Sequence, residues 1–404
     1  MSQRAYPLVL SGMLTRSIGG STRRYAFNVE GMEAMKIDDV TLTLFAWDDI
    51  PATKYGGHTA EFKGRSHLGL LTVKTDDGVE GYAFLGSASR SAIHDASSLI
   101  QHLKPVVMGQ NPLDRERLWH GLWQFNRSTT LRAIGAVDIA LWDIAGKVAN
   151  LPVHQLMGSY RSSVPGYASS PVHQDIGAYV EEAQEIKGKG WTAYKIHPPT
   201  RWEEDIEVCE AVRKGVGDDY RIMLDSTWSY RYEEALRVGR AAEELNFYWY
   251  EDPLADDDIL NYVKLKEKLD IPIMATEYAP GGHPASYAPW IVHQATDFLR
   301  GDVAVKGGLT SCLKTAHMAE GFRMNYEVHH GGNSHNNVAN LHMIMAIRNC
   351  EYFEVLLPDA SQKYGLVQDI EVDANGLVHA PNRPGIGAEI DFDLIKAKTV
   401  EVLS

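Results

Sequence analysis

RIMLDST (221–227), FYWYEDP (247–253) and PIMATEY (272–278) are three short β-rich runs, and each carries an acid at or near its end: Asp225, Glu251 and Glu277. The intervals between these acids are 26 and 26 residues. The same stride continues through Asp302 (LRGDVAV), His329 (NYEVHH) and Glu354 (YFEVLL), at intervals of 25, 27 and 25. Upstream it reaches Lys195 and His197 in AYKIH. One strand, one helix and two loops use about that many residues. A polar residue at the end of every strand of a repeated βα unit points at one common place, the C-terminal mouth of a barrel. From VPGYASS (164–170) to YFEVLL (352–357) eight such strands alternate with helical patterns. The strands are nearly uniformly apolar, as parallel strands buried on both faces must be. The expected fold class is therefore α/β, a (β/α)8 TIM-type barrel.

Upstream of the repeat the pattern changes. Residues 1–35 carry scattered Gly, Ser and Arg with little periodicity and read as a loop segment. From Ile37 the period is two, first in DDVTLTLFAW (38–47) and then in HLGLLTVKTDDGVEGYAFL (67–85), a hairpin signal around an Asp-Asp-Gly turn. Helical patterns follow in SAIHDASSLIQHLKPVV, PLDRERLWHGLWQF and LRAIGAVDIALWDIAGKVANL. The last is apolar over most of its surface, as in a helix packed on several neighbours. These patterns divide the chain into an α+β capping domain at 1–158, the barrel at 159–358, and a tail at 359–404. The tail, with its DANG turn, reads as strand–turn–strand and is expected to return to the capping domain.

At 404 residues, two domains are the reasonable expectation. A hydrophobic content of 44%, a charged content of 23% and a net charge of −14 suit a soluble cytoplasmic protein and argue against a nucleic-acid partner. Cys209, Cys312 and Cys350 are widely spaced, contain no CxxC pair, and read as small buried side chains of a reduced compartment. No run of 18 apolar residues occurs, so no membrane span is expected.

Three carboxylates without thiolate or imidazole suit a hard cation, Mg²⁺ first and Mn²⁺ as a substitute. An acid at a strand end can instead cap the next helix, but three in register at equal stride would repel strongly without a cation between them. Lys195 and His197 lie two residues apart on a strand, so both face the barrel interior, where a lysine is costly unless paired or functional. If both were protonated they would repel and lower each other's pKa, making either available as a base. His329 and His330 are neighbours, so a strand sends only one of them into the site. Asp302, one strand earlier, can orient and charge-stabilise that histidine. Glu354 can meet a substrate oxygen, and Lys306, before Gly307-Gly308, reads as structural. Such a set suits removal of a proton next to a carboxylate, with groups on opposite faces for reprotonation or for expulsion of a β-hydroxyl.

AVDIALWDIAGKVANLPVHQLMG (136–158), the three strand-end acids, Asp302 five residues before a Gly-Gly pair in GDVAVKGG, and PNRPGIGAEID (381–391) together resemble the enolase superfamily, mandelate racemase subgroup, over nearly the whole chain. That resemblance implies Mg²⁺ ligation by Asp225, Glu251 and Glu277, with Lys195 and His197 at the family's Lys-x-Lys positions. It implies an Asp302–His329 dyad, His329 being preferred to His330 because the spacing then fits without a gap. The superfamily uses a Lys or His base with Mg²⁺ stabilising an enediolate. The second lysine of the motif is His197 here, which favours β-elimination over racemisation. The implied activity is that of a Mg²⁺-dependent lyase dehydrating an aldonic or aldaric acid to a 2-keto-3-deoxy acid. Two alternatives stand beside it, a racemase, epimerase or cycloisomerase on the same scaffold, and a non-catalytic binding barrel. Family members also lead one to expect a homo-oligomer. The capping domain should bring segments 14–33 and 50–68 to the far end of a small carboxylate substrate, the second through Tyr55, His58, Lys63 and Arg65. A solvated charged loop is the competing reading of those four residues.

Overall fold

In the computed structural model, residues 35–404 are described; segment 14–33 lies outside them. The chain opens on an antiparallel sheet of β1 (Ile37–Thr53), β2 (Phe62–Thr75) and β3 (Glu80–Leu85). β2 and β3 form the hairpin around Asp76–Gly78 that alternation predicts. The segment 50–68 is a loop only at 54–61, flanked by strand on both sides. β1 runs through Thr53 and β2 starts at Phe62, pairing Ile50 with Gly64 and Thr53 with Phe62. Register shifts at Trp47/Ile50 and Ile50/Thr53 let the pairing continue past the point where strict period-two alternation stops. The pattern at 91–107 breaks into helix Ile93–Ser98, one π turn at Leu99–Leu103 and helix Lys104–Val107. Pro105 cannot donate a backbone hydrogen bond into the preceding turn, so an uninterrupted α-helix is not available there.

Eight parallel strands follow: β4 (Ser163–Ser169), β5 (Ala193–Ile196), β6 (Arg221–Asp225), β7 (Tyr250–Glu251), β8 (Ile273–Ala275), β9 (Phe298–Gly301), β10 (Asn325–Val328) and β11 (Phe353–Leu356). Sequential strands are neighbours, and β11 returns to pair with β4. Between β10 and β11 the link is made by Tyr326 N donating to Asn349 O at 2.7 Å and by Glu351 N donating to the Glu327 carboxylate at 3.1 Å. The sheet is thus curled into a TIM-type barrel. Side chains that share strand parity form two layers inside it. Tyr167, Ala193, Met223, Trp249, Met274 and Tyr352 make a buried apolar layer. Two residues further along their strands stand Lys195, Asp225, Glu251 and Glu354, all buried.

The tail divides between the two sheets. β12 (Leu377–His379), after the DANG turn, pairs antiparallel with β4 of the barrel. Only β13 (Thr399–Leu403) joins the N-terminal sheet, on the free edge of β1. All three cysteines are buried and unpaired.

The helix Leu131–Ala149, capped at its start by Thr130, joins the N-terminal sheet to the barrel, and its polar residues are the fasteners. Asp138 accepts from Thr310 N (2.9 Å) and Thr310 Oγ1 (2.6 Å), at the start of the helix Leu309–Gly321. Gly308 there has φ +106°, and a Cβ on it would stand 2.3 Å from Asp138 Oδ2, which accounts for the second glycine of the Gly-Gly pair. Asp143 accepts from Tyr82 N (2.9 Å) on β3, from Ile386 N (2.8 Å) in the tail, and from Lys147 Nζ (2.7 Å). One buried carboxylate thus holds three segments. Asp143→Ala leaves two buried amides and a lysine without their acceptor, and should cost about 3–5 kcal/mol. Thermal unfolding followed by circular dichroism checks this; an unchanged midpoint would show that these bonds do not hold the N-terminal sheet to the helix and the tail.

Candidate metal and acid–base site

Asp225 ends β6, Glu251 ends β7 and Glu277 lies two residues past β8. One carboxylate oxygen from each falls within 4.8 Å of the others, and all three residues are buried. Strand parity alone does not bring Glu277 inward, since Met274 already faces the interior. Thr276 makes the turn: it has φ +86°, and its hydroxyl is pinned between Arg300 N (2.8 Å) and Arg300 O (3.0 Å) on β9.

Two cations oppose these acids. Lys195 Nζ lies 2.9 Å from Asp225 Oδ2, 2.9 Å from Glu251 Oε2 and 2.7 Å from Glu354 Oε1. Burial and the Arg300 guanidinium pull its pKa down, yet the three carboxylates outweigh them and hold it well above that of a free lysine. This corrects, for Lys195, the expectation that its pKa is lowered. Arg300, fully buried on β9, bridges Glu251 and Glu354. It was missed in the sequence although it shares inward parity with Asp302 in LRGD. Glu354 pairs with both cations and also lines the cavity. Burial alone would raise its pKa, but Arg300 and Lys195 hold it far below the carboxylate range.

The remaining negative charge makes the site a fit for a divalent cation. Burial drives the Glu251 pKa upward, reinforced by Asp225, whereas in Asp225 Lys195 and His197 overcome burial and lower it. Asp252, beside Glu251, is a second residue the sequence reading passed over. Neither of its buried carboxyl oxygens has a hydrogen-bond partner, and burial with Glu277, Glu251 and Asp225 holds its pKa well above normal. Oxygen donors in excess of their counter-charges are what a hard cation binds.

Two imidazoles bracket the triad. His197, just past β5, contacts Asp225 Oδ2 through Nε2 at 3.1 Å, while Nδ1 lies 2.7 Å from Ser170 O. That carbonyl can only accept, so Nδ1 carries a proton. His329, just past β10, contacts Glu277 Oε1 through Nε2 at 3.1 Å and Asp302 Oδ2 through Nδ1 at 3.0 Å. Burial lowers the His329 pKa, but Glu277 and Asp302 raise it further than burial lowers it. Asp302 is itself fixed by Ala304 N (2.7 Å) and Asn340 Nδ2 (3.0 Å). His330 turns the other way, its ring 4.1 Å from that of Phe353, and burial pushes its pKa down to about 3. Lys306 is buried and donates to Tyr278 O and Pro280 O, both at 2.7 Å, clamping the loop after Glu277.

A cavity of about 270 Å³ opens above Lys195, His197, Asp225, Glu277 and His329, roofed by Tyr55, Thr59, Phe62 and Ser89. Tyr55 donates to Leu357 O (2.6 Å) and accepts from Gln362 Nε2 (2.8 Å). The other three roof candidates are corrected. His58 is exposed and bonded to Ser229 Oγ at 3.0 Å, outside the cavity lining. Lys63 pairs with Glu61 at 2.9 Å and Arg65 with Asp48, on the surface. Both lie on β2, where neighbouring acids offer a cheaper partner than a buried rim.

The mandelate racemase/muconate lactonizing enzyme N-terminal domain model matches residues 58–158, and the enolase C-terminal domain-like model matches 178–394. The chain belongs to the enolase superfamily. Within its mandelate racemase group, the chain is 28% identical to arabinonate dehydratase of Saccharolobus solfataricus, over 79% of this chain and 87% of that protein. It is 28% identical to D-galactarolactone cycloisomerase of Agrobacterium fabrum, over 85% of this chain and 94% of that one. The structure of D-glucarate dehydratase from Agrobacterium tumefaciens complexed with magnesium is similar at a TM-score of 0.81 and 33% identity, covering 91% of this chain and 100% of that one. Among the described residues, no helix is long and apolar enough to cross a membrane.

Glu277→Gln should lose Mg²⁺ binding with the fold retained, because Glu277 lies past β8 and outside the Lys195–Arg300 network, whereas Asp225→Asn should lose Mg²⁺ binding and stability together, because it leaves Lys195 short of one buried partner. Calorimetric titration with Mg²⁺ checks this, and undiminished affinity would exclude these acids as ligands. His329→Asn should lower turnover about 10²–10⁴-fold, whereas His330→Asn should lower the melting temperature more than the rate. The reverse ranking in steady-state assays would mean that the outward histidine is the functional one.

Proposed function

We propose that this protein dehydrates an acid sugar, removing the proton α to the carboxylate and expelling the β-hydroxyl as water to give a 2-keto-3-deoxy acid. The observation that carries the reading is the placement of His197 and His329 at opposite ends of the acid triad, on the second and seventh barrel strands. A small carboxylate seated between them presents one flank to each imidazole. When bound at Asp225, Glu251 and Glu277, Mg²⁺ (with Mn²⁺ as a substitute) supplies positive charge to the substrate carboxylate.

Lys195 stays protonated among its three carboxylates and contributes charge, not basicity. His197 is then the base on its flank: its Nδ1 proton is committed to Ser170 O, and Nε2, which faces Asp225 Oδ2 at 3.1 Å, would take the α-proton once that carboxylate is engaged by the cation. The electron pair of the broken C–H bond forms the C–C double bond as the C–O bond of the β-hydroxyl breaks. His329, whose raised pKa keeps a proton available, delivers it to the departing oxygen, and the enol product tautomerises to the ketone. Asp302 holds the His329 ring and stabilises its cationic form. Two of the three relatives described above are dehydratases by name and one is a cycloisomerase.

Incubation of an acid-sugar library in D₂O, followed by proton NMR, tests the reading. Loss of the α-proton signal with a keto product is expected. Exchange with inversion or ring opening and no keto product would assign an epimerase or cycloisomerase, and silence across the library would point to a binding barrel. His197→Asn should abolish exchange; a variant that exchanges at close to the wild-type rate would make Lys195 the base.

A further inference from the structure

The floor of the cavity is crowded with paired charge, whereas its rim holds a cation that has no acidic partner among the described residues. Arg90 lies beyond β3, in the segment that follows Leu85, and is exposed at the cavity edge. Its guanidinium sits over the Tyr278 ring, 4.9 Å from the centroid. Tyr278 directly follows Glu277, so this stacking ties the cation to the backbone that carries a metal-ligand candidate. Among the described residues Arg90 has no acidic partner, in contrast with Arg65 on Asp48, Lys63 on Glu61 and Arg132 on Asp95 nearby in the same domain. Arg90 also lines a side cavity of about 30 Å³ that reaches Asp302 and His329.

We propose that Arg90 is the specificity residue for a second carboxylate, and that the substrates are therefore aldaric acids, carrying an acid at each end, rather than aldonic acids. The inference rests on the dehydratase reading of the same site. Every other cationic or imidazole group lining the cavity is already engaged. Lys195 is held by three carboxylates, and His197 and His329 are each bonded at both ring nitrogens. The rest of the rim, Thr59, Ser89, Ser361 and Gln362, offers hydroxyl and amide partners suited to the middle of a polyol chain but no charge. A second carboxylate entering a cavity lined by Asp225, Glu277 and Glu354 meets repulsion unless a cation receives it. Arg90 presents the planar fork that takes a carboxylate in two parallel bonds, and its ring stacking pre-orients that fork. An arginine serving only solubility would have no reason to lie over a ring at the cavity wall.

The test compares kcat/KM for diacid and monoacid of one carbon skeleton, galactarate with galactonate and glucarate with gluconate, in the Mg²⁺-loaded enzyme. Wild type should favour the diacid. Arg90→Met should reduce the diacid-to-monoacid ratio about 10–100-fold, mainly through the KM of the diacid, and Arg90→Lys should restore part of it. Circular dichroism and Mg²⁺ titration confirm that the exposed substitution leaves fold and metal site intact. A wild-type preference for the monoacid, or a ratio that Arg90→Met does not change, overturns this inference and leaves the dehydratase reading standing. Absence of exchange with both series overturns the dehydratase reading and the inference with it.

Discussion

Carboxylates buried at the centre of the barrel are the constraint on which the rest of this structure depends. Asp225, Glu251 and Glu354 are each almost wholly shielded from water and cannot all be ionised without compensation. Lys195 and Arg300 provide it, Lys195 touching all three and Arg300 tying Glu251 to Glu354. Removing one partner from such a network typically costs about 3–5 kcal/mol, since the survivor remains buried and unpaired. The five residues come from strands β5, β6, β7, β9 and β11, so the charge network spans the barrel as well as preparing its chemistry.

That network also explains why the site stops short of neutrality. Lys195 and Arg300 neutralise the floor, while Glu277 above it is met only by His329, and Asp252 beside it has no hydrogen-bond partner. Asp225 and Glu277 therefore present carboxylate oxygens to the cavity, where a divalent cation can enter. The two histidines stand at the edges of this region, each with one ring nitrogen on a terminal acid of the triad and the other held by a fixed acceptor. Fixed acceptors cost little reorganisation when charge moves, which is the advantage of a preorganised site over water.

Much of this was legible in the sequence, for an identifiable reason. A βα unit has a nearly constant length, so the stride of Asp225, Glu251 and Glu277 reports the barrel directly, and strand parity places Lys195 with His197 and separates His329 from His330. What escaped has equally definite causes. Arg300 is a single arginine in an apolar run, and only its parity with Asp302 marks it. Glu277 reaches the triad through a positive φ at Thr276, a conformation that β-branched residues rarely adopt and that no periodicity announces. Lys63 and Arg65 were placed near the substrate because they are cationic and close in sequence to Tyr55. Their acidic partners, Glu61 two residues away and Asp48 across the β1–β2 ladder, emerge only once the register is known. The split destination of the tail depends likewise on which strand edge is left free, a property of the assembled sheets.

The one departure from the family's Lys-x-Lys pattern then acquires a physical meaning. A lysine at position 197 would carry three freely rotating donors on a flexible stem, and its basicity would depend on shedding a proton beside Asp225. An imidazole there has two distinct nitrogens, and the backbone carbonyl of Ser170 decides between them, because a carbonyl accepts and never donates. Nδ1 is thereby fixed as the protonated atom, which leaves Nε2, 3.1 Å from Asp225 Oδ2, as the nitrogen on the side of the acid triad. Tyr55 from the capping segment stands over the same ring, with 5.3 Å between centroids, and limits how far it can swing. The proposed base is oriented by the barrel on one side and by the cap on the other. Under that reading the N-terminal sheet contributes to the geometry of the site, and Asp143 ties that sheet to the helix and the tail from outside it.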